Sequence, residues 1–363
     1  MLSRRLWRWT QSCPRARWHP PALLRLPWTS PDPQLTEHWS VPLLANAVTR
    51  WFGPDGRASE APVRRDRRSI GAVEEPSGSG DPQPVLAEVH SADGTVIGYQ
   101  RAGTGPAVVL LHGAGQSSGN LTRLAGALSG TFTVYVPDRR GRGRSGPYGD
   151  FRGLSTEIED LSALLDACGA NRVFGLSAGG VIAIEAALVR PDITKLALYE
   201  PPLTFDGVVH GDWAPRYERQ LEAGRAGAAL VTVLKATADR TSPIRWIPQR
   251  PLAAALDFAI KRTASRPAPA GVMSPRELTP TLRYDAETVN SAGGALERFR
   301  ALSCQVLLLG GSRSARNLTA SLDGLCRVLP DATRIVLHGT GHTAPDNSRQ
   351  PERVAAVLRD FFS

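Results

Sequence analysis

The segment Arg172-Val173-Phe174-Gly175-Leu176-Ser177-Ala178-Gly179 decides how this chain is read. A short apolar stretch, Arg172 to Phe174, leads into Gly175-Leu176-Ser177-Ala178-Gly179. The residues that follow, Gly180 to Arg190, carry a helical pattern. The pattern is G-x-S-x-G between a strand and a helix. A serine held in so tight a turn is pushed out of its backbone and exposed. Glycines flank it because a β-carbon there would meet the neighbouring strand and helix. Serine is also a favoured helix N-cap, but an N-cap requires neither flanking glycines nor a buried strand before it. Ser177 is therefore read as a nucleophile.

Outward from this turn, the chain alternates strand and helix. Val85 to His90 and Val96 to Arg101 alternate around Asp93-Gly94, a hairpin signal. Ala107 to Leu111 is a continuous apolar run, as expected for a strand buried on both faces. Asn120 to Leu128 reads as a helix and Phe132 to Val136 as a strand. Ser155 to Cys168 reads as an amphipathic helix, and Leu196 to Tyr199 as another strand. After Pro201-Pro202 the alternation stops until about residue 300. Helices are expected there at Trp213 to Ala236, Pro251 to Thr263 and Ala286 to Arg300. It resumes with the strand Val306 to Leu309, the helix Leu318 to Leu329, the strand Arg334 to Leu337 and a last helix, Pro351 to Phe362. The expected fold is α/β: a mostly parallel sheet flanked by helices over residues 83–363, with a helical cap inserted at about 202–300. Residues 1–82 are read as an irregular, disordered extension.

Composition bounds the function. The chain has 363 residues and is 42% hydrophobic, enough for one large α/β domain with extras. The formal charge is +9 and is uneven. Residues 1–31 hold Arg4, Arg5, Arg8, Arg15, Arg17 and Arg25 without a carboxylate. Such an arm can meet nucleic acid or a membrane surface, but a solvated extension is the favoured reading, with no specific nucleic-acid partner. No stretch approaches the ~20 apolar residues of a membrane helix. The start, Ser3 to Arg8, lacks the apolar run that an export signal needs. Cys13, Cys168, Cys304 and Cys326 show no paired spacing and are read as small hydrophobes in a reducing compartment, which predicts a cytoplasmic location. No histidines stand at metal-ligand spacing with a carboxylate, so no metal or cofactor is expected. Oligomeric state is not legible.

Four motifs in this order carry a resemblance. His112-Gly113-Ala114-Gly115 ends one strand, and Asp138-Arg139-Arg140-Gly141-Arg142-Gly143-Arg144-Ser145 follows the next. Gly175 to Gly179 is the nucleophile turn, and Gly339-Thr340-Gly341-His342 follows the last strand. From about residue 84 to 363 the chain resembles the α/β-hydrolase family.

A serine hydroxyl needs an adjacent base. The resemblance implies a histidine on the loop after the last strand, which is His342; His338 at the strand end is the alternative. The remaining histidines are expected at surfaces or turns. The acid is where the sequence departs from the commoner family pattern. The loop Gly310 to Arg316 has no carboxylate. Some family members carry the acid one strand earlier, and Glu200 stands there. Asp323 is the second candidate, and the absence of any true acid is the third possibility. The resemblance implies an oxyanion hole from the backbone N–H groups of Ala178 and Ala114. The Asp138 loop is expected to be structural, with its arginines in solvent. In the insertion, Trp213 and Tyr217 are expected to bind substrate, within an apolar lining that also takes in Leu221, Val231, Leu234, Trp246, Ile247, Leu252, Leu256 and Phe258; the alternative is that these residues form the cap's own core. The implied function is hydrolysis of a small or medium-sized, mainly apolar carboxylic ester, or a related acyl bond, through an acyl-enzyme. A serine rather than an aspartate at the turn argues against epoxide or haloalkane hydrolysis. The alternative is a catalytically silent relative that binds a small-molecule ligand, favoured only by the unusual acid position.

Overall fold

The computed structural model describes residues 10–12, 84–206, 210, 212–238, 242–263 and 273–363. Strands β1 (Thr10–Ser12), β2 (Val85–His90), β3 (Val96–Ala102), β4 (Ala107–Leu111), β5 (Thr133–Pro137), β6 (Arg172–Leu176), β7 (Lys195–Tyr199), β8 (Gln305–Gly311) and β9 (Thr333–Leu337) form one sheet. Its order is β1-β9-β8-β7-β6-β4-β5-β3-β2. Strands β4 to β9 run parallel, while β2, β3 and β1 are antiparallel to their neighbours. The β2–β3 turn closes as its sequence requires: Gly94 takes φ +83°, and Asp93 accepts the Thr95 N–H at 2.9 Å. Strand β1 pairs with β9 through Thr10 and Ile335, within the segment 1–82 expected to be irregular. The rest of that reading lies outside the described residues.

The helices are α1 (Thr122–Ser129), α2 (Leu154–Cys168), α3 (Ala178–Val189), α4 (Ala214–Glu222), α5 (Ala226–Thr237), α6 (Gln249–Thr263), α7 (Pro275–Leu278), α8 (Leu282–Ser291), α9 (Arg316–Val328) and α10 (Pro351–Phe362). Alternate strand residues face opposite sides of a sheet, and each side is covered. Val109, Leu111, Val173, Leu196, Leu198 and Leu308 pack under α2, α3 and α9. Val108, Leu110, Phe174, Ala197, Leu307 and Leu309 pack under α1 and α10. Two-sided burial explains why these strands read as unbroken apolar runs.

Helices α4 to α8 lie between β7 and β8 and form the cap, with its own core of Tyr217, Leu230, Leu252, Leu256 and Leu282. The expected helix Trp213 to Ala236 is two helices, because Gly224 at φ +69° breaks it. The expected helix Ala286 to Arg300 is displaced. Helix α8 begins at Leu282 and stops at Ser291; Gly293-Gly294 follows, with Gly294 at φ +136°, and then a short 3-10 turn, Leu296–Ala301. Cys168 and Cys304 are free thiols, but Cys326 is disulfide-bonded, which corrects its reading as a reduced cysteine. Among the described residues, no helix is long and apolar enough to cross a membrane. No cluster of three or more His, Cys, Asp or Glu side chains suited to a metal occurs there either.

Candidate active site

Ser177 sits at the end of β6, at φ +54° and ψ −121°, a region non-glycine residues rarely occupy. The flanking glycines make that turn possible. A Cβ on Gly175 would lie 2.4 Å from the Gly179 carbonyl oxygen, and one on Gly179 would lie 2.6 Å from the carbonyl oxygens of His112 and Leu111. The backbone is pinned on both sides. The Ser177 N–H donates to the Tyr199 carbonyl at 2.9 Å, and the Ser177 carbonyl accepts from Gly180 and Val181.

The parallel pairing of Leu176 with Tyr199 brings the ends of β6 and β7 level, and Tyr199 pairs with Leu309 of β8, which continues to Gly311. Ser177 and Glu200 are the next residues on β6 and β7, and the loop holding His342 follows β9 at the same edge. His342 Nε2 is 3.0 Å from Ser177 Oγ, and His342 Nδ1 is 2.8 Å from Glu200 Oε2. The other carboxylate oxygen, Glu200 Oε1, accepts the Gly311 N–H at 2.6 Å. Glu200 is fully buried, so its charge depends on these two partners. A carboxylate at Nδ1 fixes the tautomer: Nδ1–H donates to Glu200, and Nε2 is left to accept from the Ser177 hydroxyl.

The other candidates fall elsewhere. His338 is exposed. Asp323 is 61% exposed and pairs with Arg334, away from the imidazole. Ala114 and Ala178 both border Ser177: Ala114 lines the same cavity, and Ala178 follows Ser177 in the chain at the start of α3. Among the described residues, neither backbone N–H has a protein acceptor. Tyr217 is fully buried in the cap core and donates to the Thr279 carbonyl, with Trp213 packed edge-on against it. Neither lines the cavity at Ser177. That cavity holds about 650 Å³. Its apolar wall comes from Leu230, Val233, Leu234, Leu278 and Leu282 of the cap. Its polar wall comes from Gln116, Asn120, Arg123 and Asp346. Of the cap residues expected to line it, Leu234 does so.

Three arginines of the Asp138 loop are buried, which corrects their reading as solvated. Arg139 donates to Glu157 at 2.5 and 3.0 Å and to Asp285 Oδ1 at 2.8 Å. Arg140 binds Asp160 and Asp93, and Arg142 Nη2 is 2.7 Å from Asp285 Oδ1. Burial raises the Asp285 carboxyl, but the charges of Arg142 and Arg139 outweigh it and hold the group below its ordinary value. Removing one partner from such a buried pair costs about 3–5 kcal/mol. Asp138 accepts the backbone N–H groups of Ser118 and Arg144, as a structural residue would.

His112 and His210 are also buried, not at the surface. His112 bridges the Gly113 carbonyl and the Arg139 N–H; burial, with Arg142 and Arg139 nearby, pushes it well below its ordinary value. His210 lies 3.2 Å from Ser321 Oγ through Nε2, and its Nδ1 faces the Asn317 amide at 3.5 Å. Burial and the neighbouring His342 lower it to about 4. The unfolded chain then binds a proton below pH 6.5 that the folded chain refuses until about pH 4, so stability falls as pH drops through this window. Replacing His210 with glutamine is expected to flatten the loss of melting temperature between pH 6.5 and 4. The difference from wild type should be on the order of 2 kcal/mol. Parallel melting curves for the two proteins would remove His210 as a cause.

Sequence reasoning missed Asp285, Gln116 and Tyr199. The Tyr199 hydroxyl donates to the Gly341 carbonyl at 2.8 Å and so holds the residue before His342. Gln116 stood in view beside His112-Gly113-Ala114-Gly115. Asp285, 170 residues from Gly115, left no local signal.

A serine on a tight strand-to-helix turn, a histidine on the last loop and a helical cap over a mostly parallel sheet define a hydrolase-type α/β fold. The family model described as "Alpha/beta hydrolase family" matches residues 108–357, and the chain belongs to that family. A solved alpha/beta hydrolase from Sphaerobacter thermophilus is 30% identical, with a TM-score of 0.60, over 76% of this chain and 100% of that one. A thermophilic esterase from Thermogutta terrifontis shares the fold at 21% identity, with a TM-score of 0.57, over 77% of this chain and 98% of that one. An uncharacterised hydrolase of Bacillus subtilis is 30% identical over 134 residues, 36% of this chain and 49% of that protein. The chain spans about half the length of this curated relative. Family and relatives together support hydrolase activity in the broad sense.

Proposed function

We propose that the chain is a serine hydrolase acting on small or medium-sized, mainly apolar carboxylic esters or related acyl bonds. One observation carries the reading: Ser177 Oγ lies 3.0 Å from an imidazole nitrogen whose partner nitrogen meets a buried carboxylate, and Ser177 and His342 open on one cavity with Glu200 buried behind them. His342 takes the Ser177 proton as Oγ attacks the acyl carbon, and Glu200 stabilises the imidazolium that forms. The Ala178 and Ala114 amides receive the oxyanion. His342 then protonates the leaving alcohol. A water molecule, deprotonated by the same imidazole, releases the acid and restores Ser177.

The cavity volume falls in the range of small-molecule sites, and its cap wall suits an apolar acyl chain. The feature that favoured a silent ligand-binding protein was the missing carboxylate after β8. Glu200, 2.8 Å from His342 Nδ1, supports the enzyme reading over that one. The test is a series of p-nitrophenyl esters from acetate to laurate under pre-steady-state conditions. A burst of p-nitrophenol equal to the enzyme concentration is expected, with kcat/KM highest between butyrate and octanoate. No burst and no turnover with any member would end the reading.

A further inference from the structure

Helix α8 of the cap reaches the loop that carries Ala114. Leu282 and Asp285 are one turn apart on it and share a face. Leu282 lines the cavity, and its Cδ2 stands 3.1 Å from where a Cβ on Gly115 would be. Asp285 divides its two oxygens. Oδ1 takes both guanidinium groups, Arg139 at 2.8 Å and Arg142 at 2.7 Å. Oδ2 is left to accept the Gly115 N–H at 2.9 Å.

Ala114 is held from its other side as well. The Gly113 N–H donates to Gln116 Oε1 at 2.9 Å, and Gln116 Nε2 donates to Asp346 Oδ2 at 3.0 Å. Peptide units are planar, so fixing the N–H of residues 113 and 115 fixes the planes on either side of the one bearing the Ala114 N–H. Both pinned residues are glycines, which without such anchors sample many conformations. A charged acceptor makes the stronger anchor of the two.

We infer that Asp285 is a positioning residue, a cap carboxylate that aims the Ala114 amide at the substrate oxygen. The cap is then part of the oxyanion hole and not only a cover over the cavity. This rests on the role given to Ser177 and Ala114 under the proposed function.

Asp285→Ala alone strands Arg142, whose Nε and Nη1 already lack acceptors among the described residues. The comparison is therefore made in the full chain carrying Arg142→Met, where Arg139 keeps Glu157. In that background, adding Asp285→Ala is expected to lower kcat for p-nitrophenyl butyrate by roughly 100-fold, with KM changed less than about threefold. Asp285→Asn keeps an oxygen for the Gly115 N–H and is expected to stay within about fivefold of the reference. Hydrogen exchange at the Gly115 amide reads the same contact without activity; protection should be lost with alanine and kept with asparagine. Equal losses for alanine and asparagine, a loss confined to KM, or a Gly115 amide that stays protected with alanine would each overturn the inference. A wild-type protein that neither turns over the ester nor reacts with a fluorophosphonate probe would instead overturn the reading of Ser177, and this inference with it. That outcome is told apart by the wild type alone.

Discussion

Ser177→Ala is expected to lower p-nitrophenyl ester turnover by about 10⁴-fold or more and to abolish labelling by a fluorophosphonate probe, while the fold is kept. The size of the loss follows from what alanine removes. In the proposed reaction the hydroxyl is the group that bonds to the acyl carbon, and it lies 3.0 Å from the imidazole nitrogen that takes its proton. The Ala114 and Ala178 amides and the cavity survive the change, so some turnover by water attack remains possible. The fold is kept because the turn is held by the backbone. The Ser177 N–H to the Tyr199 carbonyl and the Ser177 carbonyl to Gly180 do not involve the hydroxyl. Alanine bears the same Cβ strain at φ +54° as serine does. Intact-protein mass spectrometry after probe treatment, with a melting curve of each protein, checks both parts. Equal labelling of wild type and variant would move the nucleophile elsewhere and end the role given to Ser177.

How much of this was legible in the sequence depended on whether the cause was local. The turn at Ser177 was legible because a 2.4–2.6 Å backbone approach at Gly175 and Gly179 leaves room for no other residue type. The parallel order of β6, β7 and β8 was legible because two-sided burial writes unbroken apolar runs. Glu200 was placed at the end of β7 through the family resemblance, since no local motif marks it. Other features depend on tertiary contacts that no spacing encodes. Trp213 and Tyr217 were placed against substrate because an apolar pattern reports that a face is buried, not what buries it; here the cap buries it against itself. Arg139, Arg140 and Arg142 were placed in solvent because their partners Asp93, Glu157, Asp160 and Asp285 come from three distant segments. Charge runs are usually solvated, and only the assembled fold makes this one an exception.

Glu200→Gln is the sharper test of the site, because it changes one atom and leaves the packing in place. A 10²- to 10⁴-fold fall in kcat is expected, with KM changed little, whereas Asp323→Asn should stay within about twofold of wild type. The reason is the tautomer. Glutamine keeps an oxygen for the Gly311 N–H, the contact that Glu200 Oε1 makes at 2.6 Å. Its NH₂ group must then face His342 Nδ1, where Glu200 Oε2 stood at 2.8 Å. A donor there forces Nδ1 to accept and moves the ring proton to Nε2. Nε2–H then points at Ser177 Oγ and cannot take its proton. The variant also loses the negative charge that stabilises an imidazolium. Asp323 has neither lever: it is exposed, sits on α9 and pairs with Arg334. Exposed pairs of that kind contribute at most about 1 kcal/mol. A melting curve separates a chemical effect from a folding defect: the melting temperature of Glu200→Gln should stay near that of wild type while kcat falls. A large loss from Asp323→Asn with Glu200→Gln near wild type would reassign the acid and, with it, the direction from which His342 is held.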